Sequence, residues 1–535
     1  MVGPLDKTQF GLTCPPTQVV FVHIENPYEL DTPEEGPPAE HEAQFLNDVE
    51  TSATDAAQPG DVMPAVSTAA DAAGIAMATS KPEPYVDVAV LELQLMRHYK
   101  EGPGQWMDTF DTSAFFSSKV PVLAATKPLL KFAVCAFAAK HMSLLGTPSR
   151  SPSPWHGRVW PSINEPGIDW HCQAIKYYNL TIGLLKSATD VVQLDLDPSN
   201  HTSPTSIMFA AVAILSVFES MDASGSSWRA HLDALPILNS TCGSTGFSPV
   251  ALPQAVVTGP IFWNLVRGDF LCSFLSETQT RLKLDDIGLW QNAGFAADVN
   301  GAPLPFSPSG NTHHRSSTDV PEDTRSNELL WLLGKLVNFL TSGDALVPED
   351  FSLPPEQRFP LGITQDQLLE RWGIMDAEFS KWNESLPSTF TPSARVPLTA
   401  DRGPTGFQQI WYDLPICAAT MQSYHMGCIL LSTNKPQQST AIRSTLSARF
   451  RYYRQVQERV TWHAREICGI SLANPPGPVR IHSVLPLFVA GQVFSKHQDQ
   501  HVVTELLSSI ESDLGWVTRY HRDRLLLEWG EESTD

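Results

Sequence analysis

The side chains that could bind a metal or carry redox chemistry are spaced wrongly for either. Eight cysteines stand at Cys14, Cys135, Cys172, Cys242, Cys272, Cys417, Cys428 and Cys468. No two form a C-x-x-C pair, so neither a zinc knuckle nor a dithiol redox site is expected. Most fall in apolar helical stretches, where a thiol reads as a small buried hydrophobe in a reducing compartment. His41 and Glu42 open an H-E-x-x sequence, but Phe45 stands where the second histidine would be needed. His313 and His314 are neighbours in a Pro/Ser/Gly loop and read as solvated. His425 and His463 lie among aromatics in helical stretches and read as core or surface histidines rather than ligands.

Phosphate-binding and nucleophile motifs are missing as well. The sequence has no P-loop and no G-x-G-x-x-G turn after a strand. It has no G-x-S-x-G elbow, and CGSTGFS has the wrong spacing for one. No catalytic, cofactor-binding or metal-binding residue is assigned, and the chain is expected not to be an enzyme.

One run looks at first like a nucleic-acid surface. RSTLSARFRYYRQVQERV carries Arg443, Arg449, Arg451, Arg454 and Arg459 between Phe450, Tyr452 and Tyr453. The arginines alternate with apolar positions at helical spacing, which favours the solvated face of an amphipathic helix. Arg519, Arg522 and Arg524 are read the same way. The formal net charge is -22, and a polyanion repels phosphate backbones unless a basic module is set apart. No such module is visible, so no direct DNA binding is expected of this chain. The 14 tryptophans could line a cavity for a small apolar ligand, although helix packing is the simpler use for them.

The elements that carry these residues are helical. Stripes at Val88, Leu91 and Leu95, at Leu130, Ala133, Val134 and Phe137, and at Ile175, Tyr178, Ile182 and Leu185 follow the i, i+3, i+7 template. Leu329, Leu333, Leu336, Val337 and Leu340 form the cleanest stripe, with Ser326 as its expected N-cap. Met421, Tyr424, His425 and Cys428 continue the pattern, and the last one runs from Val502 to Trp529. Proline-rich loops after Ser151, Asn300 and Ser388 separate them, and no strand alternation is seen. The apolar run LLKFAVCAFAAKHMSLL is broken by Lys131 and Lys140, and SIMFAAVAILSVF is too short for about 30 Å of hydrocarbon, so no membrane association is expected. MVGPLDKTQF lacks the basic start and apolar run of a signal peptide.

No Lys or Arg occurs between Lys7 and Lys81, and the acidic, Pro/Ala-rich stretch there is predicted to be disordered. Within it, Phe45 and Leu46 among Glu42, Asp48 and Glu50 resemble an activation segment, beside the plainer reading of a solubilising linker. TQVVFVHIE, just before it, reads as an isolated strand or a docking segment. The fold class is therefore all-α: a large multi-helix body of packed helix pairs over residues 86–535, preceded by a disordered acidic segment over residues 1–85.

Several blocks carry a resemblance. WMDTFDTSAFFSSKVPVLAATKPLLKFAVCAFAAKHM is similar to the opening of the fungal-specific transcription factor domain in its second common variety. YYNLTIGLLKSA, ILSVFESMDASGSSWRAHLDALPIL, IFWNLVRGDFLCSFL, AREICGI, RIHSVLPLFVAGQVF and IESDLGWVTRYHRDRLLLEWG follow in order. Together they span roughly Val86 to Gly530 and resemble the regulators grouped with the acriflavine sensitivity control protein. The resemblance implies an all-helical nuclear domain that lies C-terminal to a binuclear zinc cluster and modulates it. Before Val86 this chain has only Cys14, so the cluster is expected to be missing from it.

The expected function is that of a pathway-specific transcriptional regulator, for instance of a secondary-metabolite gene cluster. It would act in the nucleus through other transcription regulators or coactivators, or through a zinc cluster outside this chain. A small-molecule effector and a homodimer both stay open, and no cofactor is expected. The alternatives are a helical ligand-binding or scaffold protein outside transcription, and an enzyme without a recognisable motif.

Overall fold

A computed structural model describes residues 88–145, 168–191, 204–222, 259–293, 295–297, 303–304, 321–341, 365–398, 406–436 and 446–530. The acidic segment, TQVVFVHIE, His41–Glu42, His313–His314, Cys14 and Cys242 lie outside the described residues.

Local sequence explains where the helices begin. α4 (Pro128–Leu144), α7 (Pro260–Leu275) and α11 (Pro415–Thr433) each open on proline. At the first helical position its missing N–H is no loss and its fixed φ suits the helix. Upstream lie α1 (Val88–Glu101) and α2 (Pro103–Met107), then a π-turn at Phe115–Lys119 that runs into α3 (Val120–Ala124). The N–H groups at the start of this π-turn are held by carboxylates from the preceding loop. Asp108 accepts from Phe116 and Ser117 at 2.7 Å each, and Asp111 accepts from Phe115 at 2.9 Å. Anions at a helix N-terminus also meet the positive end of its dipole.

Packing builds one continuous apolar core from Leu91 to Leu525. In the first half α4 lies against α1, α5 (Trp170–Val191) and α6 (Pro204–Ser220), with Leu130, Val134 and Phe137 fully enclosed. α7 bridges α6 to α9 (Glu322–Leu340), and the short α8 (Ile287–Asn292) follows α7. α10 (Gln365–Glu384) packs on α9 and α11. In the second half α11 packs on α9, α12 (Leu446–Leu472), α13 (Gly477–His482) and α14 (Val484–Val493). α15 (His497–Leu514) ends on Gly515 at φ +64°, a left-handed cap that favours glycine, and α16 (Arg519–Trp529) closes the body against α14. No helix among the described residues is long and apolar enough to cross a membrane.

Strands are minor among the described residues, and two of them, β2 and β3, lie in stretches the sequence reads as loops. β1 (Ala296–Ala297) pairs with β2 (Pro303–Leu304), and β3 (Ala394–Pro397) pairs antiparallel with β4 (Gln408–Trp411). Four residues ending in proline give too little alternation to signal a strand. The β3–β4 ribbon is set by docking instead. Ile410 is buried against α12, where the backbone approaches Gly469 so closely that a Cβ there would lie 2.7 Å from the Gln408 carbonyl oxygen.

Two further expectations are corrected. α5 buries Ala174, Tyr177 and Thr181, while Ile175 is exposed. Tyr178 and Leu185 of the expected stripe pack partly buried against the core, but the fully buried face is centred one residue earlier, where Tyr177 stacks on Phe132 of α4. Ser326 is no N-cap: α9 begins at Glu322 after Pro321, and the Ser326 hydroxyl is buried against Thr420 at 2.6 Å. The other stripes face inward as expected, except that Val88 is exposed at the first position of α1. Cys135, Cys272, Cys417, Cys428 and Cys468 are buried and Cys172 is exposed.

Candidate functional site

The two halves of the body meet around a cavity of about 160 Å³. α2 contributes Trp106 and Met107, α6 contributes Ser216 and Ser220, and α7 contributes Asn264, Arg267 and Leu271. α9 supplies Leu329, Leu330 and Leu333, and α11 supplies Thr420 and Met426. Ile481, His482 and Leu485 close it from α13 and α14, with Trp516 and His521 from the C-terminal turn and α16. These are inward positions of amphipathic helices, which is why the wall is mainly apolar. IFWNLVRGDFLCSFL and RIHSVLPLFVAGQVF turn most of their apolar side chains into the core around this cavity.

Its polar groups are few. The Arg267 guanidinium stacks on the Phe110 ring at 3.6 Å from the ring centre. Arg267 is part-buried and lines both this cavity and a second one, of about 170 Å³. Burial pushes its guanidinium down to about 9, which leaves it charged near neutral pH. The Phe110 ring meets His482 edge-on at 4.9 Å. His482 Nε2 donates to the Trp106 carbonyl at 3.0 Å, since that oxygen can only accept, and Nδ1 therefore carries the lone pair. Burial, reinforced by the Arg267 charge, holds His482 down to about 4. Burial holds His521 down to about 4 as well, and its Nδ1 has no partner among the described residues. Near pH 7 the charge on the wall of the central cavity is, among the described residues, that of Arg267 alone.

The histidines singled out in the sequence come together elsewhere. His425 on α11 and His463 on α12 are joined Nδ1 to Nδ1 at 2.8 Å. His425 Nε2 lies 3.9 Å from Glu466, which Arg395 grips through two bonds of 2.7 and 2.8 Å. Burial and the opposing ring hold His425 far below its usual value, and burial holds His463 down to about 4. This arrangement ties α11, α12 and β3 together. Among the described residues no group of three His, Cys, Asp or Glu is placed to hold a metal ion. Arg451, Arg454 and Arg459 lie on the exposed face of α12 while Val460 points inward, and Arg459 pairs with Asp376 at 3.5 Å.

Arg267 does not stand out in the sequence, where its helix reads as packing alone. The available signal was two charges, Arg267 and Asp269, inside an otherwise apolar helix. Asp269 is accounted for by Arg281, whose guanidinium lies 3.6 Å away, and by the backbone N–H groups of Arg281 and Leu282. Arg267 has no such partner among the described residues.

Comparison with known proteins fits this helical body. Residues 94–251 match the model of the fungal specific transcription factor domain. That stretch carries the fungal specific transcription factor domain. A transcription activator of Alternaria alternata, AMTR1, is 32% identical to it over 499 residues, covering 82% of this chain. The chain spans 63% of the length of that relative. No solved structure matches it. The family match ends at residue 251, so it covers the α1–α6 side of the central cavity and stops short of α7 and Arg267.

Proposed function

We propose that this protein is a transcriptional regulator whose helical body serves regulation rather than chemistry. The observation that carries the reading is the 32% identity to a transcription activator along most of the described body. The geometry agrees with it. A single core surrounds an internal cavity lined by both halves, so the packing of the halves can respond to what that cavity holds. The acidic chain works in the nucleus on a limited gene set, such as a biosynthetic cluster. It reaches its target genes through other regulators or coactivators, or through a zinc cluster outside this chain.

The test is deletion of the gene followed by RNA sequencing, with a tagged copy to locate the protein and recover its partners. A nuclear protein whose loss changes a small, clustered set of transcripts is expected. A protein outside the nucleus whose loss leaves transcripts unchanged removes the reading and favours a helical ligand-binding protein.

A further inference from the structure

We infer that the central cavity binds a small organic monocarboxylate with an aromatic or aliphatic body, its carboxylate paired with Arg267. As an effector site it rests on the regulatory reading above; as a binding site it stands on geometry alone.

Arg267 is a part-buried cation on the cavity wall, and among the described residues it has no carboxylate, carbonyl or hydroxyl partner. What holds it is the stack on Phe110. A guanidinium carries five N–H donors in its own plane, so stacking on a ring face satisfies none of them. Those edge donors match the two oxygens of a carboxylate. A buried charge left without a counter-ion is costly, and a bound anion removes that cost. The nearest polar neighbours do not do so. His482 is neutral and already donates to Trp106. Asp111 and Asp323 line the adjoining cavity, but both are committed elsewhere. Asp111 accepts from Ser113 and Phe115 at 2.9 Å each, and Asp323 accepts from Thr324 at 2.7 Å and from Thr112 at 3.0 Å.

The rest of the wall determines the body of the ligand. Phe270, Leu271, Leu329, Leu330, Met426 and Leu485 offer apolar contact and no further cation. The cavity, about 160 Å³, is close to the roughly 150 Å³ that accommodates a benzene ring in an apolar interior. One cation and an apolar remainder suit a single carboxylate. A phosphate dianion would bring more charge than Arg267 alone can balance.

The experiment uses the purified full chain with benzoate as probe and benzyl alcohol as its neutral counterpart, read by calorimetry and by tryptophan fluorescence, since Trp106 and Trp516 line the cavity. Benzoate is expected to bind at least tenfold more tightly than benzyl alcohol near pH 7. In Arg267→Leu benzoate affinity is expected to fall at least tenfold while benzyl alcohol stays within about twofold. Equal affinities on the unmodified chain, or no binding of benzoate, overturn the inference without reliance on any variant. Retained benzoate binding in a folded Arg267→Leu chain overturns it too. If benzoate binds as expected but gene deletion leaves transcripts unchanged, the regulatory reading falls and the site stands. If transcripts respond but benzoate does not bind, the site falls and the regulatory reading stands.

Discussion

His425 and His463 face each other across two helices through one hydrogen bond, Nδ1 to Nδ1 at 2.8 Å. One ring must donate and the other accept, so two imidazolium rings cannot share it. The pair is intact only while at least one ring is neutral, and burial keeps both neutral near pH 7.

The same condition recurs through the body and sets a pH dependence. His98, His141, His425, His463, His482 and His521 are all held below the usual histidine value by burial. On unfolding they take up protons below about pH 6.5, so acid favours the unfolded chain. Burial raises Asp108 to about 6, Glu328 to about 7, and Asp269 and Glu528 in the same direction. These four carboxyls take up protons on folding and oppose the trend. Six histidines outweigh them, and each proton in excess is worth about 1.4 kcal/mol per pH unit. The melting temperature is therefore expected to fall between pH 6.5 and 5, above the range where ordinary carboxylates titrate. A flat or rising melting temperature across that window contradicts the assignment.

Arg325 and Glu328 form an ion pair of 2.8 Å in which both side chains are almost wholly buried. Arg325→Met should cost about 3 kcal/mol, because it strands a buried carboxylate. The loss should be smaller at pH 6 than at pH 8, since Glu328 can escape by protonating. Arg325→Met/Glu328→Met should recover most of it. Urea denaturation of the three variants measures these differences, and a double variant no more stable than the single one rules the argument out.

At Gly469 an added Cβ would sit 2.7 Å from both the Gln408 carbonyl oxygen and Ile410 Cδ1. Gly469→Ala gains up to about 1 kcal/mol of helix propensity. Pushing the β3–β4 ribbon off α12 costs about 1–3 kcal/mol. Net destabilisation is expected from chemical unfolding, and a stabilised variant shows that the ribbon yields freely.

Asp108 takes two backbone N–H groups at 2.7 Å each at the start of the π-turn. Asp108→Ala is expected to lower stability by about 1–2 kcal/mol at pH 8. Burial raises this carboxyl to about 6, so it takes up a proton on folding and the difference from the unmodified chain should widen at pH 5. Paired melts at the two pH values decide it.

The helical class was legible because large aliphatics repeat on one face, as at Leu329, Leu333 and Leu336. It failed where burial is not hydrophobic. α5 turns Ala174 and Thr181 inward and leaves Ile175 outside, which no periodicity of large apolar residues reveals. The cavity was less legible still. Its wall joins residues as distant as Trp106 and His521, and whether Arg267 keeps a partner depends on helices that are remote in sequence. His425 and His463 could be recognised as core histidines singly, but not as a pair.

His141 reaches the Leu514 carbonyl at 3.2 Å, His482 reaches that of Trp106 at 3.0 Å, and Trp106 meets the Trp516 ring at 6.1 Å. The opening helices are thus completed by residues that leave the ribosome more than 370 positions later. The stretch 94–251 cannot reach its final packing while the chain is still being made, and its apolar faces must wait for the last helices. Slow folding with transient exposure of those apolar faces is the expected consequence. A premature stop near Arg480 would deprive the first helices of their partners as surely as damage within them.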